Sequence, residues 1–233
     1  EGVDLPKEGK VGLITYMRTD SVHLADEAVD AVRQWVSGQL GEDFLPETPN
    51  RYKTKQKNAQ EAHEAIRPSS PTRTPESLKG VLENDLWRLY RLIWQRTVGS
   101  QMVPAVVDTV GVDLNAGDVA QFRLTGSKIR FLGYLKVYEL GSDEPDEDIL
   151  STALPAYDKG DVISPYCVTS KQHFTEPPAR FNEAKLIQAL ESYGIGRPST
   201  YTSIITTLLH REYVELNQKR FYLTDQGRMV AKF

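Results

Sequence analysis

Residues 104–138 have the sequence PAVVDTVGVDLNAGDVAQFRLTGSKIRFLGYLKVY, in which apolar and polar side chains alternate. Alternation with a period of two is typical of β-strands that bury one face. The predicted strands are 106–114, 120–124 and 129–138, joined by turns at 115–118 and 126–127. A further strand pair is expected at 161–170, so we predict that residues 104–178 form a β-rich domain.

Helical patterns precede this β-rich stretch. Apolar residues recur every three or four positions through residues 24–36, with Asp26 or Ser21 available as the N-cap. A second helix is expected to begin at Pro75, because proline favours the first helical position, and to end near Met102, with a break near residues 84–85 as an alternative. The irregular stretch between the two helices is 41–75, with one helical turn expected at 59–66.

Two more helices and a hairpin follow the β-rich stretch. Asn182 is expected to cap a helix that stops at Gly194, and the next helix should begin at Ser199 or Thr200. Two short strands come after it, and this order of elements is typical of a winged helix-turn-helix. We therefore predict an α+β, multi-domain chain. Its domains are a helical one at 1–103, a β-rich one at 104–178 and the start of a winged-helix domain at 179–233.

Composition narrows the class of protein. The chain has 233 residues, of which 39% are hydrophobic, and this share is sufficient for real cores. A net charge of −4 indicates no overall preference for nucleic acid. No apolar run is long enough for a membrane span, and the single cysteine, Cys167, excludes an internal disulfide. We therefore expect a cytoplasmic protein with no membrane partner, and the missing initiator methionine indicates a piece of a longer chain.

The first candidate for chemistry lies in residues 11–22, VGLITYMRTDSV. On an extended strand Tyr16 and Arg18 would share one face. A tyrosine hydroxyl, with a pKa of about 10, needs a nearby cation to become a useful nucleophile at neutral pH. A guanidinium also matches the oxygens of a phosphodiester with a planar fork of donors. Spacing alone leaves two roles open for Tyr16, packing in a core or attack on a phosphate.

The second candidate lies in residues 60–68, QEAHEAIRP. A helical zinc-protease motif would need a second histidine at position 67, where Arg67 stands instead, so this class is excluded. The order and spacing of the residues also exclude a tyrosine recombinase. An alternative is that His63 and Arg67 are surface groups paired with Glu61 and Glu64.

Three segments in order resemble the signature segments of one family. Residues 14–21 (ITYMRTDS), 60–68 (QEAHEAIRP) and 194–201 (GIGRPSTY) are similar to those of bacterial type IA DNA topoisomerases, specifically the topoisomerase I branch. The resemblance covers essentially the whole chain. It implies that 1–103 belong to the nucleophile-bearing domain, 104–178 to the hinge or gate domain, and 179–233 to the following winged-helix domain.

The resemblance also implies a reaction and a set of site residues. Tyr16 would attack one DNA strand and form a 5′-phosphotyrosyl link, which is later resealed so that negative supercoils relax. Arg18 would steady the scissile phosphate. The residues implied to bind single-stranded or underwound DNA are His63, Arg67, Arg197, Ser199, Thr200 and Tyr201. For Tyr201, packing in the core is an equal alternative.

The resemblance implies one part that this sequence lacks. The family's metal ligands and general acid lie in an N-terminal Toprim domain, and Asp146 and Asp148 only superficially echo that motif. We therefore expect Mg²⁺ in the full-length, monomeric, nucleoid-associated enzyme and no metal ligand here. The isolated chain is expected to bind single-stranded DNA weakly without cleaving it. An alternative from another class is a non-catalytic winged-helix DNA-binding module.

Overall fold

A computed structural model describes residues 2–6, 8–17, 19, 21–52, 64–138, 154–164 and 167–232. The chain divides into two compact units, Glu1–Val162 and Ile163–Phe233. Unit 1 contains β1 (Val3–Leu5), β2 (Gly9–Val11), α1 (Asp26–Leu40), α2 (Asn84–Ser100), β3 (Val106–Ala116) and β4 (Ala120–Phe131). Unit 2 contains α3 (Glu183–Ser192), α4 (Tyr201–His210), β5 (Val214–Asn217), β6 (Arg220–Leu223) and α5 (Asp225–Val230). None of the described helices is long and apolar enough to cross a membrane.

The core of unit 1 forms where α1 packs against α2. On α1 the buried side chains recur at helical spacing, as the sequence predicted, and include Val32 and Val36. On α2 the buried residues are Tyr90, Trp94, Thr97 and Val98. Trp35 meets Trp94 edge to face, with ring centroids 4.9 Å apart. Leu13 and Ile14 pack against this core, and they belong to the segment before α1 that carries Tyr16.

The second helix begins later than the sequence predicted. Thr74 and Pro75 start only one turn of 3₁₀ helix, Glu76–Leu78, in which Leu78 is buried. Gly80, at φ +85°, then turns the chain, and α2 starts at Asn84. The predicted start at Pro75 was wrong, because burial of Leu78 and the left-handed glycine interrupt the helical path, whereas the alternative break near residues 84–85 agrees with the start of α2. Leu86 and Leu89 of α2 are exposed.

In the described part of the β-rich stretch, β3 and β4 form one long antiparallel hairpin. β3 and β4 pair from Ala116 opposite Ala120 back to Val106 opposite Phe131. The predicted turn at 126–127 was wrong, because Gly126 stays extended in the ladder opposite Val110. The predicted strand 129–138 is also shorter, and residues 133–136 form a 3₁₀ helix instead.

Gly133 explains why β4 stops. Its φ is +50°, and a Cβ at this position would lie 2.3 Å from the carbonyl oxygen of Pro104. The Tyr134 N–H then donates to the carbonyl of Val103 at 3.0 Å, which holds this turn against the start of β3. Only glycine fits such a close approach of two backbones.

The strand pair predicted at 161–170 was wrong. Residues 161–164 and 167–170, which the structure describes, contain no strand. Val162 is almost fully exposed, so the alternation of side chains there does not face a core. Strands need a paired neighbour and a buried face, and the pattern alone supplies neither.

Unit 2 follows the predicted order of elements. Asn182 caps α3 by accepting the N–H of Lys185 at 2.7 Å, and Gly194 follows the helix at φ +71°, so both predictions are confirmed. β5 and β6 form a hairpin. Tyr201, Ile205 and Phe221 are the buried apolar residues described in this unit.

Candidate functional site

Tyr16 lies just after the first hairpin of unit 1. The strand β2 ends at Val11, and only Ile14 makes a further bridge, to Pro68, so residues 15–17 are not the regular strand that the sequence predicted. The Tyr16 side chain is 80% exposed. The ring therefore packs in no core of the described residues, and its hydroxyl is accessible there. Arg18 and His63 lie outside the described residues.

Residue Thr15 ties the Tyr16 segment to residues 65–67. The Thr15 N–H donates to the carbonyl of Arg67 at 2.9 Å, and its hydroxyl donates to the carbonyl of Ala65 at 2.8 Å. The Arg67 N–H in turn donates to Thr15 Oγ1 at 3.0 Å. Three hydrogen bonds thus fix the backbone immediately before Tyr16, so the position of the exposed hydroxyl depends on the 65–67 segment.

Glu64 joins this segment to the start of helix α1. Its Oε1 accepts the N–H of Ala25 at 2.9 Å and the Nε–H of Arg67 at 2.6 Å. Its Oε2 accepts from Nη2 of Arg67 at 3.1 Å, which completes a bidentate ion pair. The sequence alternative that pairs Arg67 with Glu64 is therefore confirmed. A contact between Arg67 and DNA phosphate would have to compete with this pair.

The N-cap of α1 differs from the expected one. Ala25 occupies the cap position and offers no side-chain acceptor. Asp26 pairs with Arg51, and Ser21 accepts the N–H of His23, so the two predicted caps are engaged elsewhere. The Glu64 carboxylate, 39 positions along the chain, bonds the N–H of Ala25 instead. Local sequence could not reveal this, because the acceptor arrives through the fold.

The environment of Glu64 lowers its pKa. Burial alone would raise this pKa, but hydrogen bonds from Arg67 and from the Ala25 N–H, with the charges of Arg67 and His23, outweigh that effect. The native carboxylate is therefore stabilised in its ionised form.

A test in acid follows from this shift. A carboxyl whose pKa is lower when folded adds stability above its unfolded pKa, and the gain disappears as pH falls through the folded value. We expect the wild-type protein to lose stability on acidification below about pH 4.5, and Glu64→Gln to lose less over the same range. Thermal unfolding midpoints at a series of pH values would measure this. Parallel curves for the two proteins would contradict it.

The predicted DNA-binding residues of unit 2 lie around the start of α4. The Arg197 N–H donates to Thr200 Oγ1 at 2.8 Å, and this hydroxyl donates back to the carbonyl of Arg197 at 3.0 Å. Arg197, Ser199 and Thr200 are exposed. Tyr201 is buried, in agreement with the packing alternative. A helix N-terminus with a basic residue beside it suits an anion such as phosphate. DNA contacts of these residues stay a prediction.

The described residues contain no group of three or more histidine, cysteine, aspartate or glutamate side chains that could hold a metal ion. Cys167 is free and exposed. The described residues therefore do not fit a magnesium site, and the expected Mg²⁺ stays a prediction about the full-length enzyme.

Sequence reasoning offered the pairing of Glu64 with Arg67, but it missed the bond from the Ala25 N–H to Glu64 and the bonds of Thr15. The signal in the sequence was the spacing of three residues between Glu64 and Arg67, which lets two opposite charges form an ion pair. No signal was available for Thr15, because its partners lie about 50 positions away.

Comparisons with known proteins agree over almost the whole chain. The sequence profile of the family described as DNA topoisomerase matches residues 8–233. Two proteins named DNA topoisomerase 1, from Xylella fastidiosa strains Temecula1 and 9a5c, are each 50% identical over 235 residues, which is 100% of this chain. The chain spans 29% of the length of these relatives.

A solved structure of a topoisomerase I is also similar to this chain. Full-length topoisomerase I from Thermotoga maritima matches 99% of this chain with a TM-score of 0.80 and 33% identity, and the match covers 36% of that protein. The resemblance seen in three sequence segments is thereby confirmed along the chain. This chain belongs to the DNA topoisomerase family, on the bacterial topoisomerase I branch.

Proposed function

We propose that this chain is the nucleophile-bearing part of a type IA topoisomerase, which cleaves and reseals one DNA strand through Tyr16. The observation that carries the proposal is the exposed Tyr16 side chain on a backbone held by Thr15. A nucleophile for a large substrate must be accessible, and its backbone must be fixed in position. Family membership supports the same assignment.

The proposed step is a transesterification. The Tyr16 oxygen attacks the scissile phosphorus, so that a Tyr16 O–P bond forms and the bond from phosphorus to the 3′ oxygen breaks. The hydroxyl proton leaves the tyrosine, and the released 3′ oxygen takes up a proton. Resealing reverses these steps. Because the phosphotyrosyl ester retains the free energy of the cleaved phosphodiester bond, no ATP is required. In the full-length enzyme, bound Mg²⁺ would supply positive charge next to the reacting phosphate.

Basic and polar residues would hold the DNA. In this proposal Arg18 steadies the scissile phosphate and His63 contacts phosphate nearby. Arg197, Ser199 and Thr200 bind the strand near the start of α4. Residues 163–233 carry nine lysines and arginines against six aspartates and glutamates, which suits a polyanion although the whole chain is acidic.

Several broader features belong to the same proposal. The domain boundaries after residues 103 and 178, and a winged-helix identity for 179–233, follow the family. The whole protein would act as a monomer on underwound DNA in the bacterial cytoplasm and relax negative supercoils. Residues 1–233 alone would bind single-stranded DNA weakly, with steep salt dependence and no cleavage.

A covalent adduct tests the proposal. A full-length topoisomerase containing residues 1–233 is incubated with single-stranded DNA and Mg²⁺, then denatured and digested with protease. We expect the peptide that contains Tyr16 to carry DNA through a 5′-phosphate, as read by mass spectrometry. An adduct on another residue would contradict the proposal. Binding with no adduct would favour the alternative of a non-catalytic DNA-binding module, which the positive charge of residues 163–233 also fits.

A further inference from the structure

The loop that carries Tyr16 begins and ends on the same short segment. At its start, Thr15 is hydrogen-bonded to Ala65 and Arg67. At its end, the carbonyl of His23 accepts the Ala65 N–H at 2.7 Å, and the Ala25 N–H donates to Glu64. The two ends of the Tyr16 loop, at Thr15 and at residues 23–25, are therefore both fixed to residues 64–67.

Glu64 is the side chain that joins the parts of this arrangement. Its carboxylate accepts hydrogen bonds from the backbone N–H of Ala25, the N-cap residue of α1, and from the guanidinium of Arg67. The backbone of Arg67 exchanges hydrogen bonds with Thr15, next to Tyr16. A change at Glu64 would thus act on both ends of the Tyr16 loop without any contact to the reacting atoms.

Arg67 has little capacity left for a phosphate. Its Nε and Nη2 donate to Glu64, and its Nη1 donates to the carbonyl of Pro68 at 3.1 Å. The side chain is 18% exposed, and that of Glu64 is 28% exposed. A charge-assisted bidentate pair of this kind is strong and already neutralises the cation.

We infer that Glu64 is a positioning residue for Tyr16, and that Arg67 is its partner in this role rather than a ligand of DNA phosphate. The inference rests on the proposed function, because it needs Tyr16 as the nucleophile. It replaces the DNA-binding role that the family resemblance implied for Arg67. The ion pair of Glu64 and Arg67 orients the Tyr16 loop, and this loop in turn orients the Tyr16 hydroxyl.

Glu64→Gln in the full-length topoisomerase tests this inference. Glutamine keeps the size of the side chain but loses the charge that holds Arg67. We expect the rate of adduct formation at saturating DNA to fall by about tenfold to a hundredfold, because misplacement of a reacting group has effects of this size. The Kd for single-stranded DNA and its salt dependence should stay unchanged.

The two roles for Arg67 predict opposite results. If Arg67 bound phosphate, Glu64→Gln would free a cation and remove an anion, so DNA would bind more tightly with cleavage intact. Arg67→Gln would then reduce, by about one, the slope of the logarithm of DNA affinity against the logarithm of salt concentration. If the pair positions the loop, Arg67→Gln lowers the adduct rate with an unchanged slope, and the double variant is no slower than the slower single variant.

Asp113→Asn is the matched control. Asp113 and Arg123 also form a bidentate pair, at 2.7 and 3.0 Å, but on the exposed hairpin of β3 and β4. Its loss should leave adduct formation at the wild-type rate. An equal loss in this control, or a wild-type rate in Glu64→Gln, would overturn the inference.

Amide hydrogen exchange separates this inference from the proposed function. Peptides that cover residues 12–25 should exchange faster in Glu64→Gln, because the loop ends lose the charged carboxylate that bonds Ala25 and Arg67, and unchanged exchange would overturn the positioning role. If the wild-type enzyme forms no adduct on Tyr16, the proposed function fails, whereas the exchange result still decides what Glu64 holds. Should Glu64→Gln not fold, Arg67→Gln gives the same readouts.

Discussion

Replacing Tyr16 by phenylalanine in the full-length topoisomerase is expected to abolish the covalent DNA adduct. The substitution removes one oxygen atom, and under the proposed mechanism that atom forms the bond to phosphorus. The side chain is 80% exposed, so the loss of its hydroxyl removes no core packing. Stability should therefore change by less than about 0.5 kcal/mol, as is usual for surface substitutions. Denaturing gels with labelled single-stranded DNA would measure the adduct.

Tyr193→Phe is the control for this experiment. Tyr193 is also 80% exposed, and it follows α3 in unit 2, where the proposed reaction gives it no role. Its variant should form adduct at the wild-type rate. Adduct formation that persists in Tyr16→Phe would show that another residue is the nucleophile. Loss in both variants would show a general effect of removing exposed hydroxyls and would contradict a specific role for Tyr16.

Trp94→Ala is expected to have the largest effect on stability. Trp94 is 5% exposed, packs edge to face against Trp35 and donates its indole N–H to the carbonyl of Pro71 at 2.9 Å. Removing a buried tryptophan typically lowers the free energy of unfolding by about 3–5 kcal/mol. Denaturant unfolding followed by circular dichroism at the helical band would measure the change.

Leu92→Ala, on the same helix, is the matched control. Leu92 is 52% exposed and lies outside the core cluster, so its truncation should change the unfolding free energy by about 0.5 kcal/mol or less. Similar losses for the two variants would mean that the packing between α1 and α2 does not dominate the stability of this unit.

Local patterns were good predictors where one residue acts on its near neighbours. The cap at Asn182 and the glycine after α3 were found because both act within one turn of helix. Patterns failed where distant contacts compete with local preference. Pro75 favours a helix start, yet Leu78 is drawn into the core and Gly80 turns the chain.

The sequence by itself determined the family, the order of most elements and the candidate nucleophile Tyr16, because short motifs and periodic side chains are local properties of a chain. Only the tertiary structure decided that Tyr16 is exposed and that Arg67 is held by Glu64. It also decided that a carboxylate 39 positions away bonds the cap of α1. These features depend on hydrogen bonds between segments far apart in sequence, and folding alone brings their donors and acceptors within reach.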